Sequence, residues 1–279
     1  MIKIRVPATT ANLGPGFDSL GLALNLYNEF IFEEIASGLE ILGFEEKYNN
    51  ENNLVYTSMM KTFQKIGVFP SGIRISGSIN IPISKGLGSS ASCIVGGVAG
   101  ANILADEPLN VEEVFEIATE IEGHPDNIAP ALFGGLVTSL REDNRLIYNR
   151  IDIYPGLKLI ALVPDFQLST KKAREVLPKD IPYKDAVNNL GKVSLLISSL
   201  VNNRYDLLKY ALRDNLHQPY RGKLIPDFYK ILGKVDEYNG LGAYLSGAGP
   251  TIMCLVEENA KMFKNNMRKY LNNLKNNWD

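Results

Sequence analysis

Apolar positions along this chain change period several times, and each change predicts a different element. Over 2–6 apolar and charged residues alternate, the two-residue period of a half-buried strand. Segments 28–35 and 39–44 have strand-like composition and predict a β pair around Ser37-Gly38. From 54 to 66 the apolar residues Leu54, Val55, Met59, Phe63 and Ile66 fall close to helical spacing, and Gly67 and Pro70 stop the helix. The pattern returns to β over 72–81, and a second helix runs to about Ala105. Over 111–122, Val111, Val114, Phe115, Ala118 and Ile121 share one face against a row of Glu, with Gly123 and Pro125 at the end. Segments 134–140 and 146–153 predict another strand pair.

The cluster Tyr154-Pro155-Gly156 is turn-forming and marks the expected boundary between domains 1–154 and 155–279. Beyond it, 157–163 reads as a short apolar strand. Helices are predicted over 170–176, 183–201, 205–212, 224–238 and 260–274. A strand pair, 242–245 and 251–256, flanks Ser246-Gly247-Ala248-Gly249-Pro250. Strands and helices that do not strictly alternate predict two α+β lobes rather than a doubly wound sheet.

Composition narrows the class. The chain has 279 residues, 45% hydrophobic and 22% charged, which is globular usage and not that of a disordered or coiled-coil protein. A net charge of −2 gives no basic excess of the kind a nucleic-acid binder carries. Only Cys93, Cys254, His124 and His217 are present of their types, and their spacing fits no disulfide framework or zinc pattern. The segment 86–105 carries no charge and approaches the about 20 residues of a membrane span. Its Gly and Ser content and scarcity of large apolar side chains predict instead a loop leading into a buried helix. The opening residues lack the apolar stretch of a secretory signal, so the expectation is a soluble, cytoplasmic protein without membrane or nucleic-acid partners.

Four segments hold candidate chemistry. In Pro82-Ile83-Ser84-Lys85-Gly86-Leu87-Gly88-Ser89-Ser90-Ala91-Ser92, two glycines permit positive φ and close backbone approach, and hydroxyls are placed to cap the following helix. A helix N-terminus after a Gly-rich loop presents N–H groups and a positive dipole end to an anion such as polyphosphate. Gly86-x-Gly88-x-x-Ala91 with Asp106 also fits the dinucleotide fingerprint literally, which leaves a dinucleotide-dependent oxidoreductase as an alternative; that fingerprint, however, directly follows an apolar strand, and here Ser84-Lys85 intervene. Neither a Walker A sequence nor a Gly-x-Ser-x-Gly elbow occurs. The other segments are Pro7-Ala8-Thr9-Thr10-Ala11-Asn12-Leu13-Gly14-Pro15-Gly16-Phe17-Asp18, Glu122-Gly123-His124-Pro125-Asp126-Asn127 and the Gly-rich Ser246 to Thr251 turn. Each alone is explained as a turn or a capping cluster; all four in one chain are not.

Taken in order, these motifs resemble those of the GHMP family of small-molecule kinases, spanning Pro7 to Thr251. Thr10-Ala11-Asn12 through Asp18 and Gly123-His124-Pro125-Asp126-Asn127 are similar to the branch that phosphorylates L-homoserine. The resemblance implies an N-terminal lobe like domain 2 of ribosomal protein S5, a ferredoxin-like C-terminal lobe, both lining a substrate cleft, and a homodimer. It implies ATP held by Pro82 through Ser92, with Asn53 near the adenine, and Mg²⁺ held by Ser90 and Glu122, or Glu120 in place of Glu122. It also implies an amino-acid site made by Asn12, Asp18, His124, Asn127, Thr170, Arg174 and Arg221. Where other members place an aspartate near the acceptor hydroxyl, this chain has Asn127, with Asp126 adjacent, and Arg174 is counted with these two as a catalytic candidate.

The chemistry of such a substrate agrees with those residue types. A carboxylate suits the two-pronged guanidinium of Arg174 or Arg221. An ammonium suits Asp18 and the amide oxygen of Asn12. A kinase for another small alcohol, such as mevalonate, is the alternative within the family, and the two Arg argue against it. Mg²⁺ takes oxygen ligands, so the scarcity of Cys and His is no obstacle.

Overall fold

The computed structural model describes residues 1–143, 145–153 and 155–279. They divide into two compact units. One comprises Met1–Thr9, Gly21–Ile83 and Gly88–Arg150; the other comprises Thr10–Leu20, Ser84–Leu87 and Ile151–Asp279. Two short segments from the first half of the sequence thus belong with the second unit, and the Gly-rich segment is divided between Leu87 and Gly88. Tyr154, in the turn cluster taken as the domain boundary, lies outside the described residues.

In the first unit the chain runs β1 (Ile2–Ala11), β2 (Leu20–Glu34), β3 (Gly38–Leu42), α1 (Leu54–Ile66), β4 (Gly72–Ser78), α2 (Ser89–Leu104), α3 (Val111–Glu122), α4 (Pro125–Phe133), β5 (Leu136–Glu142) and β6 (Arg145–Ile151). The sheet order is β3-β4-β2-β5-β6, and β1 also pairs with β2. Helices α1 and α3 occupy the predicted spans. Asn53 caps α1 by accepting from Val55 N and Tyr56 N, and Asn110 and Glu113 close a reciprocal capping box on α3.

The expected β pair around Ser37-Gly38 does not form. Strand β4 lies between the two strands, antiparallel to β2 (Phe32 opposite Ile75) and parallel to β3 (Ile41 opposite Ile75). This register buries Phe30, Phe32 and Ile75 in one core, a long-range gain that a local hairpin would forgo. The turn residues at Ser37-Gly38 therefore begin a crossover.

Helix α2 accounts for the uncharged stretch. It is buried around most of its circumference and packs against α1, α3 and α4. Gly97 is what allows this: a Cβ there would overlap the carbonyl oxygen of Val55 in α1. Among the described residues no helix is long and apolar enough to cross a membrane. The sequence predicts no helix at α4, because Gly123-His124-Pro125 reads as a stop. Gly123 does end α3 in the left-handed region (φ 96°), but Pro125 then serves as the first helical residue of α4, where its missing N–H costs nothing.

The second unit contains β7 (Leu157–Leu162), α5 (Thr170–Glu175), α6 (Tyr183–Val201), α7 (Leu208–Ala211), α8 (Gln218–Arg221), α9 (Phe228–Glu237), β8 (Gly242–Leu245), β9 (Ile252–Glu257) and α10 (Lys261–Leu271). Its sheet is antiparallel in the order β7-β9-β8, so the apolar run Ile252 to Val256 is the fully buried central strand. Ile231 and Val235 of α9 and Phe263 and Met267 of α10 join the strands in one core. The predicted helix over 224–238 begins only at Phe228. Pro226 disfavours a helical Ile225, and Asp227 takes φ 58°. The predicted helix over 205–212 is a 3-10 turn, Tyr205–Leu207, followed by α7. Pro164 bridges to Trp278, and the Trp278 ring sits edge-on to Phe166 at 6.3 Å.

Candidate active site

In the first unit, the candidate residues gather at the N-termini of α2 and α4. Gly88 is the N-cap of α2, left-handed at φ 69°, and no side chain caps the helix. This differs from the expectation that the serine hydroxyls cap it. Ser90 Oγ is instead directed at Glu122, the last residue of α3, at 2.7 and 2.9 Å from its two carboxylate oxygens, and Ser92 Oγ donates to the Ser89 carbonyl. Burial pushes the Glu122 carboxyl above its ordinary pKa, an effect the Ser90 hydrogen bond partly opposes. A hydroxyl and a carboxylate on adjoining helix ends form a hard-oxygen pair that suits Mg²⁺ shared with phosphate oxygens. The other candidate, Glu120, is not part of this pair: it holds Lys65 at 2.7 Å on the exposed side of the unit. Asn53 is buried, with its amide spent on the α1 cap and the Tyr48 carbonyl.

At the start of α4 three polar side chains form a chain of hydrogen bonds. Asp126 is buried, and its Oδ1 lies 2.6 Å from His124 Nδ1 and accepts from Asn127 Nδ2 at 3.3 Å. Asn127 Oδ1 accepts from the hydroxyl of Thr9 at 2.8 Å.

The second unit holds the remaining candidates. Asn12, at φ 70°, is buried; its Nδ2 donates to the Gly247 carbonyl and its Oδ1 accepts from Asp18 N. Arg174 and Asp18 form a two-pronged ion pair, Nη1 to Oδ2 at 3.0 Å and Nη2 to Oδ1 at 2.9 Å. Arg221 is only 2% exposed and donates to the carbonyls of Ala173 and Gly247. Both guanidinium groups lie over the ring of Phe17, at 5.8 and 5.0 Å from its centroid. Thr170 is the exposed first residue of α5, which Ser169 caps.

In the Gly-rich segment, Lys85 directs its ammonium to the carbonyls of Pro164 and Phe166 at 2.6 and 2.8 Å, and burial lowers its pKa. Its side chain anchors this segment to the loop after β7. Ser246 Oγ bonds to Thr10 Oγ1 and to the Gly86 carbonyl, which ties both Gly-rich turns to the first motif.

Sequence reading assigned no role to Thr9, Phe17, Ser246 or His217. The first three stand inside the motifs, and nothing in their spacing says which neighbours they meet. His217 is fully buried, stacks on Phe17 at 5.1 Å, and places Nε2 2.8 Å from the Gly14 carbonyl. A carbonyl only accepts, so Nε2 carries the proton, while Nδ1 has no partner among the described residues. Burial lowers its pKa, Asp214 opposes that and Arg221 adds to it, so the ring stays neutral. As pH falls below about 6.5 the unfolded chain takes up a proton that the folded one refuses, and stability declines until the folded pKa is passed. His217→Gln, which can still donate to Gly14, is expected to flatten the fall in urea midpoint between about pH 7 and about pH 5. Parallel declines in the two proteins would contradict this assignment.

Comparison with known proteins agrees with the fold. Residues 53–135 match the GHMP kinases N terminal domain and residues 196–273 match the GHMP kinases C terminal model. The chain belongs to the GHMP kinase family. A homoserine kinase of Clostridium botulinum (strain ATCC 19397 / Type A) is 51% identical over 279 residues, covering 100% of this chain and 94% of the relative. The homoserine kinase of the Alaska E43 / Type E3 strain is 52% identical, covering 97% of this chain and 91% of that one. The crystal structure of homoserine kinase from Cytophaga hutchinsonii superposes with a TM-score of 0.88 at 31% identity, covering 100% of this chain and 92% of that one.

Proposed function

We propose that this protein transfers the γ-phosphoryl group of ATP to the hydroxyl of L-homoserine, giving O-phospho-L-homoserine and ADP. The observation that carries the reading is the Arg174–Asp18 ion pair over Phe17, beside the buried Arg221. A zwitterionic amino acid presents the same two charges in complementary order, so its carboxylate suits the guanidinium groups and its ammonium suits Asp18 and the Asn12 amide oxygen. The homoserine kinase relatives at 51–52% identity support the same substrate.

Phosphoryl transfer through a loose transition state depends on alignment and charge stabilisation. In our reading the backbone from Lys85 through Ser92 cradles the phosphates, with the uncapped N-terminus of α2 facing them. Ser90 and Glu122 would hold Mg²⁺, which when bound would offset the charge of the transferring group. Glu120 is engaged with Lys65 and supplies no ligand in this scheme. The acceptor oxygen forms its bond to the γ-phosphorus as the bond to the ADP oxygen breaks, and the hydroxyl proton leaves to a phosphate oxygen or to solvent. Asn127 orients the hydroxyl and His124 lies at the same helix start. Asp126, with Oδ1 engaged by both His124 and Asn127, orders them and is not the base. We further propose family domains at 1–154 and 155–279, Thr170 at the amino-acid site, a homodimer, and a cytoplasmic role in making threonine.

A coupled ADP-release assay over homoserine, mevalonate, shikimate and galactose tests the reading. Homoserine should turn over fastest, and a faster alternative alcohol would replace it as the substrate. In the same assay Asp126→Asn should keep kcat within about a hundredfold of wild type, the cost of a positioning group, rather than abolish turnover as loss of an essential base would. Abolished turnover with intact homoserine binding would make Asp126 the base.

A further inference from the structure

We infer that Thr9 is a positioning residue for phosphoryl transfer: its hydroxyl fixes which way the amide of Asn127 faces. The inference rests on the proposed place of Asn127 at the acceptor hydroxyl.

The direction of every proton in the cluster follows from one group. Asp126 Oδ1 is a carboxylate oxygen and can only accept. His124 must therefore present Nδ1–H to it, and Asn127 must turn Nδ2 towards it, at 2.6 and 3.3 Å. That leaves Asn127 Oδ1 on the opposite side, where it meets Thr9 Oγ1 at 2.8 Å. An amide oxygen also only accepts, so Thr9 donates its single proton there. If the amide flipped, Oδ1 would face the carboxylate without a hydrogen between them, and Nδ2 would be aimed at Thr9. The two ends of the chain, Asp126 and Thr9, hold one orientation.

Thr9 is well placed to do this. It is fully buried in β1, so its hydroxyl is shielded from competing water. On its other side it abuts Gly88, where a Cβ would overlap Thr9 Oγ1 and, at φ 69°, no other residue sits comfortably. One hydroxyl thus touches both the glycine that begins α2 and the amide at the start of α4. The remaining Nδ2 hydrogen and Oδ1 lone pair of Asn127 are then presented in a fixed order to an acceptor hydroxyl, and a positioning error of about 1 Å in such a contact costs up to about a hundredfold in rate.

The test compares Thr9→Ser, Thr9→Val, Thr9→Ala, Asn127→Ala and the Thr9→Val/Asn127→Ala pair in the full chain, with ADP release and thermal melts measured for each. Thr9→Ser keeps the donor and should stay within about twofold of wild-type kcat. Thr9→Val keeps the shape and should lose roughly ten- to hundredfold in kcat with little change in KM for homoserine; if it melts early, Thr9→Ala makes the same comparison. The double variant should be no slower than Asn127→Ala alone. Full kcat in Thr9→Val, a Thr9→Ser variant as slow as Thr9→Val, or multiplying losses in the pair would each overturn the inference. Wild-type kcat in Asn127→Ala would overturn it together with the proposed place of Asn127. Wild-type protein that ignores homoserine would overturn the substrate reading alone, and the Thr9–Asn127 comparison is then made on the alcohol that is turned over.

Discussion

Glu122→Gln is expected to lower kcat by roughly a hundred- to a thousandfold, the range seen when a charge-stabilising group is lost, while the folded protein becomes more resistant to heat at neutral pH. Both effects arise from the same placement. Glu122 is half-buried at the end of α3, and its carboxylate accepts from Ser90 at 2.7 and 2.9 Å. Burial raises its pKa, so the charged form is less favoured in the folded state than in the unfolded chain. The stability that difference supplies is complete below the unfolded pKa and is lost as pH rises through the raised folded value. Gln keeps the hydrogen-bonding shape without the charge, so the melting temperature of the variant should exceed that of wild type by more at higher pH. A functional site that costs stability is common, and the opposing signs are the diagnostic. Melting curves across pH with kcat at saturating Mg-ATP check this. Wild-type kcat in the variant would remove Glu122 from the metal site.

Arg221→Lys should raise the KM for homoserine by about a hundredfold and lower stability by about 2–4 kcal/mol, as the carbonyls of Ala173 and Gly247 lose well-placed donors in a buried setting. Lys keeps the charge but has no planar fork to reach both carbonyls while lying over Phe17. Substrate titrations and urea unfolding separate the two losses. An unchanged KM beside the stability loss would leave Arg221 a purely structural cation. Arg174→Lys makes a useful contrast: its pair with Asp18 is about one-third exposed, so its stability change should stay within about 1 kcal/mol while KM still rises.

The motifs were legible because each needs particular residue types at fixed local spacing. The Gly86 to Ser92 loop, the helical spacing from Leu54 to Ile66 and the amphipathic 111–122 segment are local events, and the structure places α1 and α3 on the predicted spans. Non-local events were not legible. Nothing around Ser37-Gly38 announces that β4 will lie between β2 and β3. Gly123-His124-Pro125 holds both a stop and a start, and only packing shows that α4 follows. The choice between Glu120 and Glu122 is one of direction: two residues on a helix turn the side chain by about 200°, so Glu120 meets Lys65 and Glu122 meets Ser90.

The α+β class and the Gly-rich loop before a helix were legible in local composition and periodicity, and the helix-end carboxylate, the two arginines and the polar turn before Asn127 stood out through resemblance to the family's motifs. Which of those groups meet was decided only when distant segments came together. Thr9 with Asn127, Asp18 with Arg174 and Phe17 with His217 are each joined across more than a hundred residues of chain. Hydrogen bonds and ion pairs act over about 3 Å, and nothing in the local pattern of a chain records which remote side chain will arrive within that distance.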